Sequence, residues 1–400
     1  MKKASWEDLA IFGGPSAFDQ ELHVGRPNIG DRARLLERFT EMLDRRWLSN
    51  DGPFTRELEA RIAAFAGVKH CVAMCNATIA LEIAIRALGL SGEVIIPSFT
   101  FIATAHALQW QEITPVFCDV DRRTHNINPG MVERLITPRT TGIIGVHVWG
   151  RPCDVDALGH IAEHRGLRLL YDAAHAFGCS RRGRMVGAFG DAEVYSFHAT
   201  KFLNTFEGGA VVTNNDELAS KIRFMKNFGF AGYDDVQYLG TNGKMTEVAA
   251  LMGLTGLESL DRFIATNRKN YEQYQRELAD LPGLRMVRYD PEDRSNYQYV
   301  VFEVDAEVTH ISRDDLVRIL WGERVLARRY FHPGCHRMQP YRSYFPHAGL
   351  LLSETEWLTD RVLVLPTGTG VTEEAIATIC DIVRFAATNG RAITERMSRT

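Results

Sequence analysis

LLYDAAHAFG (Leu169–Gly178) and VYSFHATKFLNTFEGGAVVT (Val194–Thr213) decide how this chain is read. Each stretch opens on a short apolar run of strand character and ends on a polar residue. The first run delivers Asp172 and the second delivers Ser196. Lys201 follows in a turn, then a glycine pair and a third apolar run, Ala210–Thr213. Ligands of open α/β sheets gather at carboxyl ends of strands, so an acid, a hydroxyl and a lysine are brought to one edge.

Those three groups are the fixed parts of a pyridoxal phosphate (PLP) site. The lysine forms a Schiff base, the acid keeps the pyridine nitrogen protonated and the hydroxyl helps hold the phosphate. Taken singly, each has a plainer reading. Lys201 alone is a solvated lysine, Asp172 a turn cap and His175 a packed histidine. Together they favour the cofactor, with His175 placed to meet its phenolic oxygen. Phosphate needs N–H groups at a helix start. CNATIALEIAIRAL supplies one where strand His70–Met74 turns at Asn76, Ala77 and Thr78 into an apolar-faced helix. The Thr78 and Ile79 amides are expected at the phosphate, with Ala77 beside them. An ordinary helix cap is the competing reading. The Gly-rich, Lys-Ser/Thr pattern of a Walker loop is missing. Phe99 and Phe101 follow strand Val94–Ile96, and Phe101 is assigned to stack on the cofactor ring, with a core phenylalanine as an equal reading.

The surrounding pattern is a three-layer α/β domain. Short strands are expected at His70–Met74, Val94–Ile96, Thr114–Cys118, Gly142–Val146, Arg168–Tyr171, Glu193–Ser196 and Ala210–Thr213. Helices fit Arg32–Arg46, a segment capped by Thr55 and stopped by Gly67, Thr78–Leu88, Ile102–Trp110, Asn128–Arg134 and Val155–His164. Strands apolar throughout imply a mostly parallel sheet covered on both faces. Beyond Asp216 the pattern turns helical, at Asp216–Asn227, Thr246–Leu257 and Leu260–Leu278. Strands at Leu284–Tyr289, Gln298–Val304 and Val362–Pro366, with helices at Ser312–Trp321 and Thr372–Ala387, predict a smaller C-terminal α+β domain. The expected division is an irregular N-terminal arm (1–30), a large domain (31–262) and a small domain (263–400).

Composition narrows the function. The 400 residues carry a formal net charge of -4, with 45% hydrophobic and 24% charged residues. No global basic field attracts nucleic acid or anionic lipid. No apolar run has membrane-spanning length. The N-terminus lacks a signal-peptide core, so a cytoplasmic protein is expected. Seven scattered cysteines fit reduced thiols. Cys71 with Cys75, and His332 with Cys335 and His336, lack the four-ligand spacing of zinc sites, and no metal is expected.

With these motifs in place, the chain resembles the DegT-type sugar-nucleotide aminotransferases, PLP enzymes of fold type I. NATIAL (76–81), VIIPSFTF (94–101), DVD (119–121) with Asn126-Ile127, HVWG (147–150), YDAAHAFG (171–178), SFHATK (196–201) and EGGAVVT (207–213) occur in family order, between GPFTRELE (52–59) and LPTG (365–368). The resemblance implies that Lys201 carries the cofactor, Asp172 pairs its ring nitrogen, His175 stands where the family has Gln or His, and Ser196 and Thr78 bind phosphate. It makes Asn242 a residue that reaches the neighbouring subunit's phosphate, and so implies a homodimer with shared sites. Related sugar 3-dehydratases carry histidine at the lysine position. Lys201 therefore favours transamination, with glutamate as donor, pyridoxamine phosphate as the intermediate form and a keto-sugar nucleotide as acceptor.

SFHATKFLNTFEGG looks closest to enzymes acting on dTDP-4-keto-6-deoxyglucose, with a 3-keto isomer as alternative. A deoxyaminosugar pathway for an antibiotic or a polysaccharide follows. Substrate contacts are expected from the arm, the Asp51–Thr55 turn (Phe54, Thr55), and the basic-aromatic RRYFHP segment with Tyr341, chiefly Arg329, Tyr330 and His332. A solvated turn is an equal reading of RRYFHP. Two rivals stand beside this. A non-enzymatic PLP-binding regulator would need a DNA-reading module, for which no segment is spare. Another PLP enzyme, such as an amino-acid aminotransferase, would place an arginine for the substrate carboxylate in the small domain. Arg328, Arg329, Arg337, Arg342 and Arg361 all lie there.

Overall fold

A computed structural model describes residues 3–398. Seven strands form the central sheet: β1 (His70–Met74), β2 (Glu93–Pro97), β3 (Thr114–Cys118), β4 (Thr140–Val146), β5 (Arg168–Asp172), β6 (Ala192–Ser196) and β7 (Gly209–Thr213). Their spatial order is β1-β7-β6-β5-β4-β2-β3. β7 runs antiparallel to both β1 and β6, and the remaining pairs are parallel. Register is tight where it matters. Val146 opposes Asp172, and Asp172 opposes Val194. The carboxyl ends of β4, β5 and β6 therefore finish on one line.

Strand residues are buried on both faces because helices cover both. One layer centres on α2 (Pro53–Ala66), α6 (Val155–Arg165) and α8 (Glu247–Leu257), with Leu58, Ile62, Leu158 and Leu254 in its core. The other centres on α3 (Ala77–Ala87), α4 (Ala103–Gln109) and α7 (Asp216–Met225), with Leu81, Ile85, Leu108 and Ile222. Burial of such side chains contributes about 1.5–3 kcal/mol each. The chain closes with a three-stranded antiparallel sheet, β8 (Leu284–Met286), β9 (Val300–Val304) and β10 (Val362–Leu365), packed on α10 (Arg313–Gly322) and α11 (Glu373–Thr388).

Three local findings adjust the sequence reading. Thr55 does not cap α2. Gly52 is the cap and Pro53 opens the helix, as suits a residue with no N–H to leave unpaired. Thr55 lies inside the first turn, where the fully buried Glu247 accepts from the Phe54 and Thr55 N–H groups at 2.8 and 2.9 Å. Secondly, residues near the N-terminus dock on the C-terminal part: Leu22-His23 pairs in parallel with Val325-Leu326, and Leu9 is fully buried. Thirdly, α9 (Leu260–Leu278) runs unbroken across position 263. Phe263 packs in the large core, whereas Tyr271, Tyr274 and Leu278 pack in the C-terminal one. Among the described residues no helix is long and apolar enough to cross a membrane.

Candidate active site

A cavity of about 720 Å³ opens at the carboxyl ends of β4, β5 and β6. Asp172, Ser196 and Lys201 all line it, with Ala77, Thr78, Phe101 and His175. Asp172 ends β5 and is 6% exposed. Its carboxylate accepts from the Ala174 N–H at 3.0 Å and the Thr104 hydroxyl at 2.8 Å. Burial pushes its pKa up, while these two donors and Lys201 pull it down. Burial lowers the Lys201 amine to about 8, against the pull of Asp172. A lysine near 8 is still mostly protonated at neutral pH, but its neutral, nucleophilic fraction is far larger than that of an ordinary lysine.

The Lys201 turn is held from several sides. Lys201 N–H donates to His198 O at 2.8 Å, and Gln298 donates to Thr200 O at 3.1 Å. The buried Asn28 donates to Phe202 O at 3.1 Å, and Asn204 returns a bond to Asn28 O at 2.8 Å. The N-terminal segment thus clamps this turn, and His23 to Pro27 line the cavity.

His175 is 7% exposed. Its Nδ1 accepts from the Trp149 N–H at 3.3 Å, which places its ring hydrogen on Nε2. Burial and then the Lys201 charge hold its pKa well below the usual histidine value. His175 is therefore a neutral donor. Its ring packs against Tyr299 at 4.5 Å and Phe331 at 5.8 Å. Tyr299 carries no mark in the sequence beyond an aromatic in a strand approach. Its place on this wall was missed.

At the phosphate corner, Asn76 caps α3 and its Oδ1 accepts from the Ile79 N–H at 2.8 Å. That corrects Ile79: its amide is taken by the cap, and Ala77 and Thr78 are the helix-start residues at the cavity. β7 comes close here. A Cβ on Gly209 would meet Ala77 N at 2.6 Å, so only glycine lets the strand pass. Phe101 is 58% exposed over the cavity, whereas Phe99 is fully buried among Trp149 and Phe331.

The expected substrate residues divide. Tyr330 lines the cavity. Phe331 beside it does too, but Arg329 turns away to Asp314 at 3.0 Å, and His332 Nδ1 lies against Thr359 O at 3.2 Å. Instead Arg328 lines the cavity, its guanidinium 5.2 Å over the Tyr330 ring. At the bridge of Arg328 to Val364 the backbone is extended, which accounts for 328 facing the cavity and 329 facing away, and in the turn that follows both Tyr330 and Phe331 line the cavity. Phe54 and Thr55 are buried in the core, the latter tied to Glu247, and neither reaches this cavity. Tyr341 is fully buried, bonded to His106 at 2.8 Å. Asn242 is exposed and outside its own chain's cavity.

The lining fits PLP at three corners. The buried acid suits a ring nitrogen, the depressed lysine an aldehyde, and the α3 start with Ser196 a phosphate. The chain belongs to the DegT/DnrJ/EryC1/StrS aminotransferase family, whose model matches residues 30–384. Its cofactor is pyridoxal phosphate and it is a sugar-nucleotide aminotransferase. It is 36% identical to the dTDP-4-amino-4,6-dideoxy-D-glucose transaminase of Shigella dysenteriae, over 92% of this chain and 99% of the relative. It is 35% identical to GDP-perosamine synthase of Caulobacter vibrioides, over 89% and 95%. The crystal structure of DesI, determined in the presence of its TDP-sugar product, superposes with a TM-score of 0.95 at 52% identity, covering 98% of this chain and all of that one.

Proposed function

We propose that this enzyme transfers the amino group of glutamate to C4 of dTDP-4-keto-6-deoxy-D-glucose, giving the 4-amino-4,6-dideoxy sugar. The observation that carries this is the Lys201–Asp172 pair in a cavity of about 720 Å³, in a chain 52% identical to a TDP-sugar enzyme. Bound PLP supplies an electron sink for the carbanion formed at the substrate carbon. Lys201 would anchor the cofactor, and its amine, once released, would act as the base that carries a proton in each half-reaction. Asp172 keeps the ring nitrogen protonated. His175 donates Nε2–H to the phenolic oxygen. Phe101 covers the ring, and Ser196, Ala77 and Thr78 hold the phosphate. Arg328 and Tyr330 line the wall where substrate charge and rings can be met.

A homodimer with shared sites belongs to the same reading. Asn242, exposed and remote from its own cavity, would serve the neighbouring subunit's phosphate. The exposed row Leu36, Phe39 and Leu43 on α1 (Arg32–Arg45) offers apolar area for such contact. A cytoplasmic location accords with a nucleotide-linked substrate and seven free cysteines.

Mass spectrometry of the product from dTDP-4-keto-6-deoxyglucose and glutamate tests the reaction, and NMR places the amine. We expect an amino sugar substituted at C4. Amination at C3, or turnover only of a GDP-linked 4-keto-6-deoxy sugar, would overturn the assignment of substrate. An unchanged sugar with every nucleotide would overturn the reaction.

A further inference from the structure

Behind Asp172 lies a chain of two hydroxyls. Thr104 Oγ1 is 2.8 Å from Asp172 Oδ2, and Thr100 Oγ1 is 3.1 Å from Thr104 Oγ1. Both threonines are shut off from solvent, Thr104 fully and Thr100 at 1% exposure. Thr100 lines the cavity, whereas Thr104 stands behind it.

The direction of this chain is fixed by valence. An ionised carboxylate only accepts, so the single Thr104 hydrogen points at Asp172. Thr104 must then accept from Thr100. A threonine inside a helix ordinarily bonds the carbonyl four residues back. Here that carbonyl, Thr100 O, takes the Cys335 thiol at 3.3 Å, and the Thr104 hydroxyl goes to an acid 68 positions along the chain. The other carboxylate oxygen takes the Ala174 N–H at 3.0 Å. One donor is backbone and cannot be exchanged. The other is a side chain in the first turn of α4, backed by a second hydroxyl that polarises it.

We propose that Thr104, backed by Thr100, is a positioning residue that fixes the Asp172 carboxylate, in ionised form, toward the cofactor ring nitrogen. This rests on the role given to Asp172 above. The charged and titratable groups around Asp172 are Lys201, which faces it across the cavity; His147, which opposes β5 from the end of β4 and whose Nε2 meets Glu193 at 3.1 Å; His175, on the segment that follows; and Tyr299, packed on His175 from the C-terminal part and kept neutral by burial and by the Asp172 charge. His147 Nδ1 accepts from the Cys153 N–H at 3.0 Å, so its hydrogen goes to Glu193 and none is offered to Asp172. That leaves Thr104 as the side-chain hydrogen bond to this acid. A donor to the charged form favours that form, and burial opposes it. With Thr104 silenced, Asp172 shares its proton less with the ring and the ring is a weaker electron sink.

The test uses holoenzyme reconstituted with PLP. Thr104→Val keeps the shape and deletes the hydroxyl, and Thr104→Ser keeps the hydroxyl. The first readout is a pH titration of the visible band without any donor. A ring carrying less positive charge holds the proton on the lysine–cofactor nitrogen more tightly. Thr104→Val should therefore raise the titration midpoint by about one pH unit, the scale of one hydrogen bond to a charged group. The second readout is bleaching of the band by glutamate. It should slow roughly 10- to 50-fold, with half-saturating glutamate within about twofold, because the loss falls on the carbanion-forming step. Thr104→Ser should restore both, and Thr100→Val should shift both the same way by less. That smaller variant carries the test if Thr104→Val does not fold. Wild-type values in Thr104→Val and Thr100→Val, beside altered values in Asp172→Asn, would overturn the relay alone. Wild-type values in Asp172→Asn as well would overturn the role of Asp172 on which it rests.

Discussion

The floor and the mouth of the cavity are built by different means. The floor comes from consecutive strand ends of one sheet, and its carboxylates are buried and answered. Asp172 has Ala174 and Thr104, and beneath it Glu193, fully buried, accepts from His147 and from the Gly187 and Phe189 N–H groups at 2.7 and 2.6 Å. The mouth comes from segments far apart in sequence, around residues 23–27, 298–299 and 328–331. Its charges are less committed. Among the described residues neither Arg26, which reaches a carbonyl at 3.4 Å, nor Arg328, which lies over Tyr330, has a carboxylate partner. Buried polar groups left without partners are costly, so the floor is tied to stability. Unpaired cations at a rim are free for an anionic ligand, so the mouth is tied to binding.

Substitutions sharpen or break that contrast. Glu193→Ala strands His147 and two buried N–H groups, and should lower unfolding free energy by about 3–5 kcal/mol in urea titration. A loss under about 1 kcal/mol would show that the floor is not the stabilising half. Arg328→Ala should leave unfolding unchanged and raise KM for the sugar nucleotide or the donor roughly 5- to 30-fold. An unmoved KM for both would remove Arg328 from the binding wall. Arg329→Ala loses a half-exposed pair with Asp314 and a cation–π contact over Trp321 at 5.9 Å, and should cost at most about 2 kcal/mol, with KM within twofold. A larger KM effect at 329 than at 328 would reverse the face assignment.

The same contrast explains what the sequence revealed. Floor residues follow strand by strand, so Asp172, Ser196 and Lys201 were readable from where apolar runs end. Phe101 over Phe99 was also readable as a choice at one strand end. The mouth needed pairings that no local pattern carries. The opposite aims of 328 and 329 depend on the bridge from Arg328 to Val364, and Tyr330 and Phe331 reach the wall through the turn that follows. Thr55 looked like a cap because Thr favours caps, while the groups that settle α2, Pro53 and the distant Glu247, act through geometry and a contact 192 positions away. Ile79 was misread because helix starts bind phosphate and bind their own caps with the same N–H groups. The Thr100–Thr104 relay gave no signal, since buried threonines are common and only their partner distinguishes these.

Everything turns on the amine of Lys201. Apoprotein mixed with PLP across neutral to alkaline pH reports it through the rate at which the visible band appears. A neutral amine is the nucleophile, so the rate should climb with pH to a midpoint near the value of about 8 that burial imposes, and Lys201→Ala should form no band. A midpoint near the ordinary 10.5, or a band of wild-type size in Lys201→Ala, would contradict the account.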